Sequence, residues 1–183
     1  MDYLIFAPPR CRTAWLANFL TYGNSYCYHE GLAQCKDIAD LKKLAVDGKI
    51  TGNSDSGMLL FPDKMIEMFP NAKVILLRRP RYEVLKSLSK IFPNNPDECL
   101  KTMKMCETSS KWIVNNVDNL LMSDFSSLEN ENECKGIWNF INPDETFCIR
   151  RWKMLSNFNV QLHTIEYNSD IMATMMKNKM EVA

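Results

Sequence analysis

The stretch Lys73-Val74-Ile75-Leu76-Leu77-Arg78-Arg79-Pro80-Arg81-Tyr82-Glu83-Val84-Leu85-Lys86-Ser87-Leu88 decides the fold. Its opening run is continuous, leucine-rich and β-branched, which suits a strand covered on both faces. Pro80 fits the first turn of a helix, and Val84, Leu85, Leu88 and Ile91 then recur at helical spacing until Pro93 and Pro96 stop them. The unit is therefore strand, charged loop, helix. Arg78, Arg79 and Arg81 fall at the carboxyl end of the strand, the edge where open α/β sheets place their ligands.

The same unit opens the chain. Residues 3–7 form a short apolar run, Pro8-Pro9 make a turn, and Trp15, Leu16, Phe19 and Leu20 follow at helical spacing. Between the two units, residues 25–29 and 50–52 read as short strands, and Cys35, Ile38, Ala39, Leu41 and Ala45 as a helical face. Residues 58–69 carry Met65, Ile66 and Phe69 on one stripe before Pro70-Asn71. After the second unit come a long helix through Leu100, Met103, Cys106, Ile113 and Val117, a strand at 119–125, and a helix through Cys134, Ile137, Trp138 and Ile141. A helix at 144–155, a strand at 160–167 and a Met-rich tail complete the expectation. The pattern predicts an α/β domain of three layers, a mostly parallel sheet with flanking helices, over residues 1–183 as one domain.

Composition narrows the partners. The 183 residues carry 22 Lys+Arg against 22 Asp+Glu, a net charge of zero that argues against a nucleic-acid coat or a polybasic membrane binder. No apolar run approaches the roughly 18 residues of a membrane span, and Met1-Asp2-Tyr3 offers no basic leader, so the expected location is cytoplasmic. Seven cysteines without a C-x-x-C pair, beside only His29 and His163, make neither a zinc cluster nor a disulfide framework. No metal is expected. The oligomeric state is not legible.

An anion must then be met locally, and Pro9-Arg10-Cys11-Arg12-Thr13-Ala14-Trp15-Leu16 is suited to do it. It lies between a strand and a helix start, where unpaired N–H groups and the positive end of the helix dipole receive phosphate. Two arginines and a threonine hydroxyl add charge and donors. A nucleoside-triphosphate loop of the G-x-x-x-x-G-K-[ST] type is absent, since this loop has neither glycine nor lysine.

These two segments together resemble the sulfotransferase family. Its strand followed by Pro-Arg/Lys-Ser-Gly-Thr-Thr-Trp-Leu is similar to residues 9–16, and its apolar strand ending in Leu-Arg-Asp-Pro-Arg is similar to Leu77-Arg78-Arg79-Pro80-Arg81. A weaker third echo, the family's strand ending in Tyr-Glu-Asp-Leu, covers residues 120–128. The resemblance implies a P-loop NTPase-like sulfotransferase fold and 3′-phosphoadenosine 5′-phosphosulfate as co-substrate. It makes Arg10, Cys11, Arg12, Thr13, Ala14 and Trp15 the nucleotide loop, with Arg10 and Thr13 on the 5′ side and Arg78 on the 3′-phosphate. The family's serine falls at Lys86, so either Lys86 or, after a one-residue shift, Ser87 takes that role. Relative to the family, Cys11 replaces serine, Arg12 glycine and Ala14 threonine, and a position requiring positive φ resists arginine.

Sulfuryl transfer asks for alignment, charge stabilisation and a base. Arg10 is the charge stabiliser. Glu30 is the first choice as base and His29 the second, since some relatives place a glutamate after the second strand. Asp55 and Ser56 lie in a polar loop suited to an acceptor or only to a turn, and Arg150-Arg151-Trp152 is a further candidate for the nucleotide. The acceptor expected is a small molecule or a carbohydrate, with no nucleic acid and no membrane as partner. Two other readings stand beside this one: a noncatalytic nucleotide-binding or interaction protein on the same fold, and a P-loop nucleotide or small-molecule kinase.

Overall fold

A computed structural model gives the architecture and describes residues 1–157. The opening run becomes β1 (Tyr3–Phe6), all four residues buried, followed by α1 (Thr13–Leu20). Next come β2 (Ser25–His29), β3 (Ile50–Ser54), α2 (Pro62–Met68), β4 (Lys73–Arg78), α3 (Arg81–Leu88), α4 (Pro96–Asn116), β5 (Leu120–Asp124), α5 (Glu131–Ile141) and α6 (Ile149–Ser156). The strands lie in the order β2-β3-β1-β4-β5, and each neighbouring pair is parallel. The α/β reading, parallel sheet and flanking helices are what the chain adopts. The expected strand at 160–167, His163 and the Met-rich tail lie outside the described residues.

Alternation along β1 divides the core. Tyr3 and Ile5 face one side with Leu16, Phe19, Ile137 and Trp138, while Leu4 and Phe6 face the other with Met58, Met65, Val74 and Ile113. Each fully buried side chain of this kind stabilises the fold by about 1.5–3 kcal/mol through apolar burial. The connection from β1 to β2 runs through α1 on the first face, and that from β3 to β4 through α2 on the second. Connections thus part on either side of β1, which opens a crevice at the carboxyl edge above it. Glycine is required where Tyr3 crosses β3, because a Cβ on Gly52 would overlap the tyrosine ring.

Several boundaries differ from the sequence reading. The face expected from Cys35 to Ala45 winds as a 3-10 segment, Ile38–Leu44, with a reciprocal capping box of Asp37 and Asp40 at its start. Residues 58–69 split into a 3-10 turn, Ser56–Leu60, and α2, with Pro62 opening the new helix. Pro96 does not stop a helix; it sits in the first turn of α4, where its missing N–H costs nothing. Ile91 lies beyond α3 and is half exposed. The helix expected from Asp144 begins only at Ile149.

Candidate functional site

The loop from β1 to α1 is held in an unusual backbone. Arg10 (φ 68°) and Arg12 (φ 58°) both occupy the left-handed region, which for residues other than glycine costs roughly 1–2 kcal/mol. Arg12 is the N-cap of α1, and no side chain caps that helix. The first i→i−4 bond is Leu16 N–H to the Arg12 carbonyl at 2.9 Å. The N–H groups of Thr13, Ala14 and Trp15 precede it and form the positive end of the helix. Two left-handed residues ahead of these N–H groups give a backbone of the kind that can receive an anion.

Side chains from the second arginine segment brace this loop. Arg79 Nη1 donates to the Arg10 carbonyl at 2.6 Å, its Nε pairs with Glu83 at 3.1 Å, and its guanidinium lies 3.9 Å from the centroid of the Phe125 ring. The Arg12 guanidinium lies 4.9 Å from the same centroid and pairs with Glu129 at 2.9 Å. Arg12 stands where the family motif has glycine and Arg79 where it has aspartate, so the two departures meet on one ring. Arg10 Nε donates to Ser87 Oγ at 3.1 Å, joining the β1 loop to α3.

The charges at this edge are unequally compensated. Arg12 pairs with Glu129, Arg78 with Asp124, Arg79 with Glu83 and Arg81 with Glu107. Arg10 alone of these five makes no ion pair among the described residues; its hydrogen bond goes to a neutral hydroxyl. Burial, then the neighbouring Arg79 charge, lowers its pKa, so the cation is held at some cost. An anion placed there would relieve that cost.

His29 and Glu30 close the β2 side. His29 Nε2 lies 3.2 Å from Thr13 Oγ1 and 3.8 Å from Glu30 Oε1. Glu30 also has positive φ, 53°, and is more exposed than His29. The turn after it is fixed from β3: Asn53 Oδ1 accepts from Gly31 N–H at 2.9 Å and Asp55 Oδ2 from Leu32 N–H at 3.0 Å. Gly31 is needed because a Cβ there would press on the Asn53 amide.

The structure brings Arg10, Thr13, Ser87, His29 and Glu30 to one edge, while other expected residues contribute differently. Trp15 is buried, stacks on Phe19 and donates its indole N–H to the Leu155 carbonyl, so only its backbone faces the loop. Cys11 is fully buried, and burial pushes its thiol up to about 12, leaving backbone alone to contact a ligand. Ala14 lies half-buried in the first turn. Arg78 makes two bonds to Asp124 across β4 and β5, at 3.1 and 3.3 Å. Lys86 is exposed on α3, whereas the adjacent Ser87 turns toward Arg10.

Asp55 is buried as the cap of the Ser56–Leu60 turn rather than open in a loop. Arg151 lies at the far end of α1, where it donates to the Asn18 and Thr21 carbonyls, and so stands away from the nucleotide loop. Phe125 and Asn53 were not singled out by the sequence, and Arg79 was singled out as a charge at the strand end, not as the brace of the β1 loop. Phe125 carried a signal, a large apolar residue at the carboxyl end of β5 beside Asp124.

Comparison with known proteins follows the same direction. The family model described as sulfotransferase domain matches residues 15–142. The match begins just after the 9–14 loop, so that loop is judged on its own geometry. Among solved structures the chain is similar to a sulfotransferase from Alicyclobacillus acidocaldarius, at 12% identity over 95% of this chain and 92% of that one, with a TM-score of 0.65. At that identity the likeness is one of fold, P-loop-like α/β. No curated protein sequence matches.

Proposed function

Because the chain belongs to the sulfotransferase family, we propose that it transfers a sulfuryl group from 3′-phosphoadenosine 5′-phosphosulfate to a hydroxyl or amine of a small acceptor. The observation that carries this reading is Arg10, half-buried without a carboxylate, beside the uncapped start of α1. The donor nucleotide supplies an activated sulfuryl group with a phosphate as its leaving group. Thr13, Ala14 and Trp15 offer N–H groups to its 5′ end, and Thr13 adds its hydroxyl. Arg10 meets the charge that develops on the leaving phosphate oxygen. Ser87 and Arg78 serve the 3′-phosphate, Arg78 exchanging Asp124 for it.

Glu30 takes the acceptor proton as the acceptor oxygen or nitrogen bonds to sulfur. His29, engaged with Thr13 Oγ1, orients the loop and stands second as base. No metal enters this scheme. The seven cysteines, all free thiols, support a cytoplasmic setting. A noncatalytic nucleotide-binding protein is the second reading, favoured by the bulk of Arg12 in a left-handed position.

The test is release of adenosine 3′,5′-bisphosphate from the donor in EDTA, with 2-naphthylmethanol or glucosamine as acceptor. Glu30→Gln is expected to slow turnover by roughly 10²- to 10⁴-fold with nucleotide affinity within a few-fold, and His29→Gln far less. Collapse in His29→Gln with normal Glu30→Gln would transfer the base role. Nucleotide binding without release would establish the second reading. A demand for ATP and magnesium would instead indicate the kinase.

A further inference from the structure

A cavity of about 470 Å³ opens at the carboxyl edge between the β1 loop, the Ser56–Leu60 turn, the end of α3 and the first half of α4. Its wall is apolar: Pro9, Leu60, Leu88, Phe92, Met105 and Cys106 carry most of it. Leu60, Phe92 and Met105 are 54%, 49% and 36% exposed, so large side chains face this space without covering one another. Cys106 is 2% exposed and belongs to the core packed behind this wall.

The cavity lies beside the proposed transfer site. Pro9, immediately before Arg10, forms part of its wall. Ser56 and Gly57 form another part, and Asp55 ties them to the turn after Glu30 by accepting from both Gly57 N–H at 2.7 Å and Leu32 N–H at 3.0 Å. One rigid connection therefore sets the cavity against the residue assigned as base.

Four of the lining residues carry polar side chains. They are Ser56, Asn95, Glu98 and Thr102, and Glu98 is already paired with Lys101 at 2.7 Å. Asn95 stands at the N-cap of α4 yet makes no capping bond, which leaves its amide for a ligand. Among the described residues the lining holds no lysine, arginine or histidine, so an anionic acceptor meets no counterion from them. A sugar would bury several hydroxyls against carbon, each unpaired and costly. An apolar body bearing one nucleophilic hydroxyl fits on both counts, and the volume is within the usual range for a small organic ligand.

We infer that this cavity is the acceptor site and that it selects neutral, apolar alcohols over carbohydrates and anions, an inference that rests on the sulfotransferase reading for the word acceptor. The alcohol enters the Pro9–Gly57 end, its body lies on Leu60, Phe92 and Met105, and Asn95 meets any second polar group.

The test uses fluorescence titration of the full chain with 2-naphthylmethanol, with glucosamine as competitor and no donor present. Binding in the micromolar to submillimolar range, unaffected by millimolar glucosamine, is expected. Thr102→Trp, which places bulk from α4 into the cavity, is expected to weaken it at least tenfold, and Phe92→Ala severalfold. Binding of adenosine 3′,5′-bisphosphate to both variants, read by calorimetry, should match wild type and shows that they are folded. No binding of the alcohol, binding indifferent to Thr102→Trp, or displacement by glucosamine would overturn the inference. Absence of bisphosphate binding in wild type would overturn the sulfotransferase reading separately, while the alcohol titration would still decide what the cavity accepts.

Discussion

Arg12 shows how a single residue carries both a conflict and its resolution. Arginine where the family motif has glycine signals strain if the loop keeps positive φ, and the structure keeps it, at Arg10 as well. What the sequence could not show is the compensation: Glu129 and the Phe125 ring come from more than a hundred residues away. The backbone cost can be isolated by comparing Arg12→Gly with Arg12→Ala, since both lose the ion pair and only alanine retains the left-handed penalty. Allowing for the greater freedom of glycine in the unfolded chain, Arg12→Gly is expected to be more stable than Arg12→Ala by about 0.5–1 kcal/mol. Urea midpoints measure this, and equal or reversed midpoints would mean that the loop relaxes out of the left-handed region. Arg10, Thr13 and Ser87 were legible as candidates because each sits in a motif at a strand end. The sequence left Lys86 and Ser87 both open for one role; the helix phase turns Ser87 toward Arg10 and Lys86 to solvent.

At the scale of elements, the strands were legible where apolar runs were continuous, as in β1 and β4, because a strand covered on both faces admits little else. The 3-10 segments were not legible, since short turns share the apolar spacing of a helix; Asp37 and Asp55 cap their starts. α6 begins late because residues 143–148 form a connection, not a first turn. The joint between the β1 loop and the segment after β5 rests on Phe125, over which two guanidiniums lie. Replacing Phe125 by leucine keeps apolar bulk and removes the π face. At a partly exposed site each cation–π contact is worth about 0.5–1 kcal/mol, so losing both in Phe125→Leu should lower stability by about 1–2 kcal/mol and weaken adenosine 3′,5′-bisphosphate severalfold as the loop loosens. Unchanged bisphosphate affinity in a destabilised variant would show that the ring braces the fold but not the nucleotide loop.

For the whole molecule, parallel strands and crossovers on opposite faces gather the motifs at one edge, which is why two segments some seventy residues apart meet at Arg10 and Ser87. The same dense core sets a response to alkali. Burial pushes Cys11 up to about 12, and Cys106 and Cys134 up to about 11, from an ordinary 9.0. Below pH 9 both folded and unfolded chains keep these protons, and the contribution is fully present. As pH rises above 9 the unfolded chain releases them while the native chain retains them, so stability falls. The loss approaches about 1.4 kcal/mol per pH unit for each thiol until the native value is reached. Buried Tyr3, raised by desolvation, adds the same sign above pH 10. Urea midpoints under reducing conditions should therefore drop steeply between pH 8.5 and 10.5, and less steeply in Cys134→Ala. A flat profile would contradict the buried environment assigned to these thiols.

The claim on which the rest depends is that the edge bearing Arg10, Ser87 and Arg78 holds a nucleotide phosphorylated at both ends. Calorimetry of wild type with adenosine 3′,5′-bisphosphate beside AMP tests it most directly. A charge-assisted phosphate contact is worth about 1.5–3 kcal/mol, so the bisphosphate should bind roughly 10- to 150-fold more tightly. Arg10→Ala should weaken both nucleotides, and Arg78→Ala the bisphosphate alone. Equal affinity of wild type for the two nucleotides, or no measurable binding of either, would contradict the account.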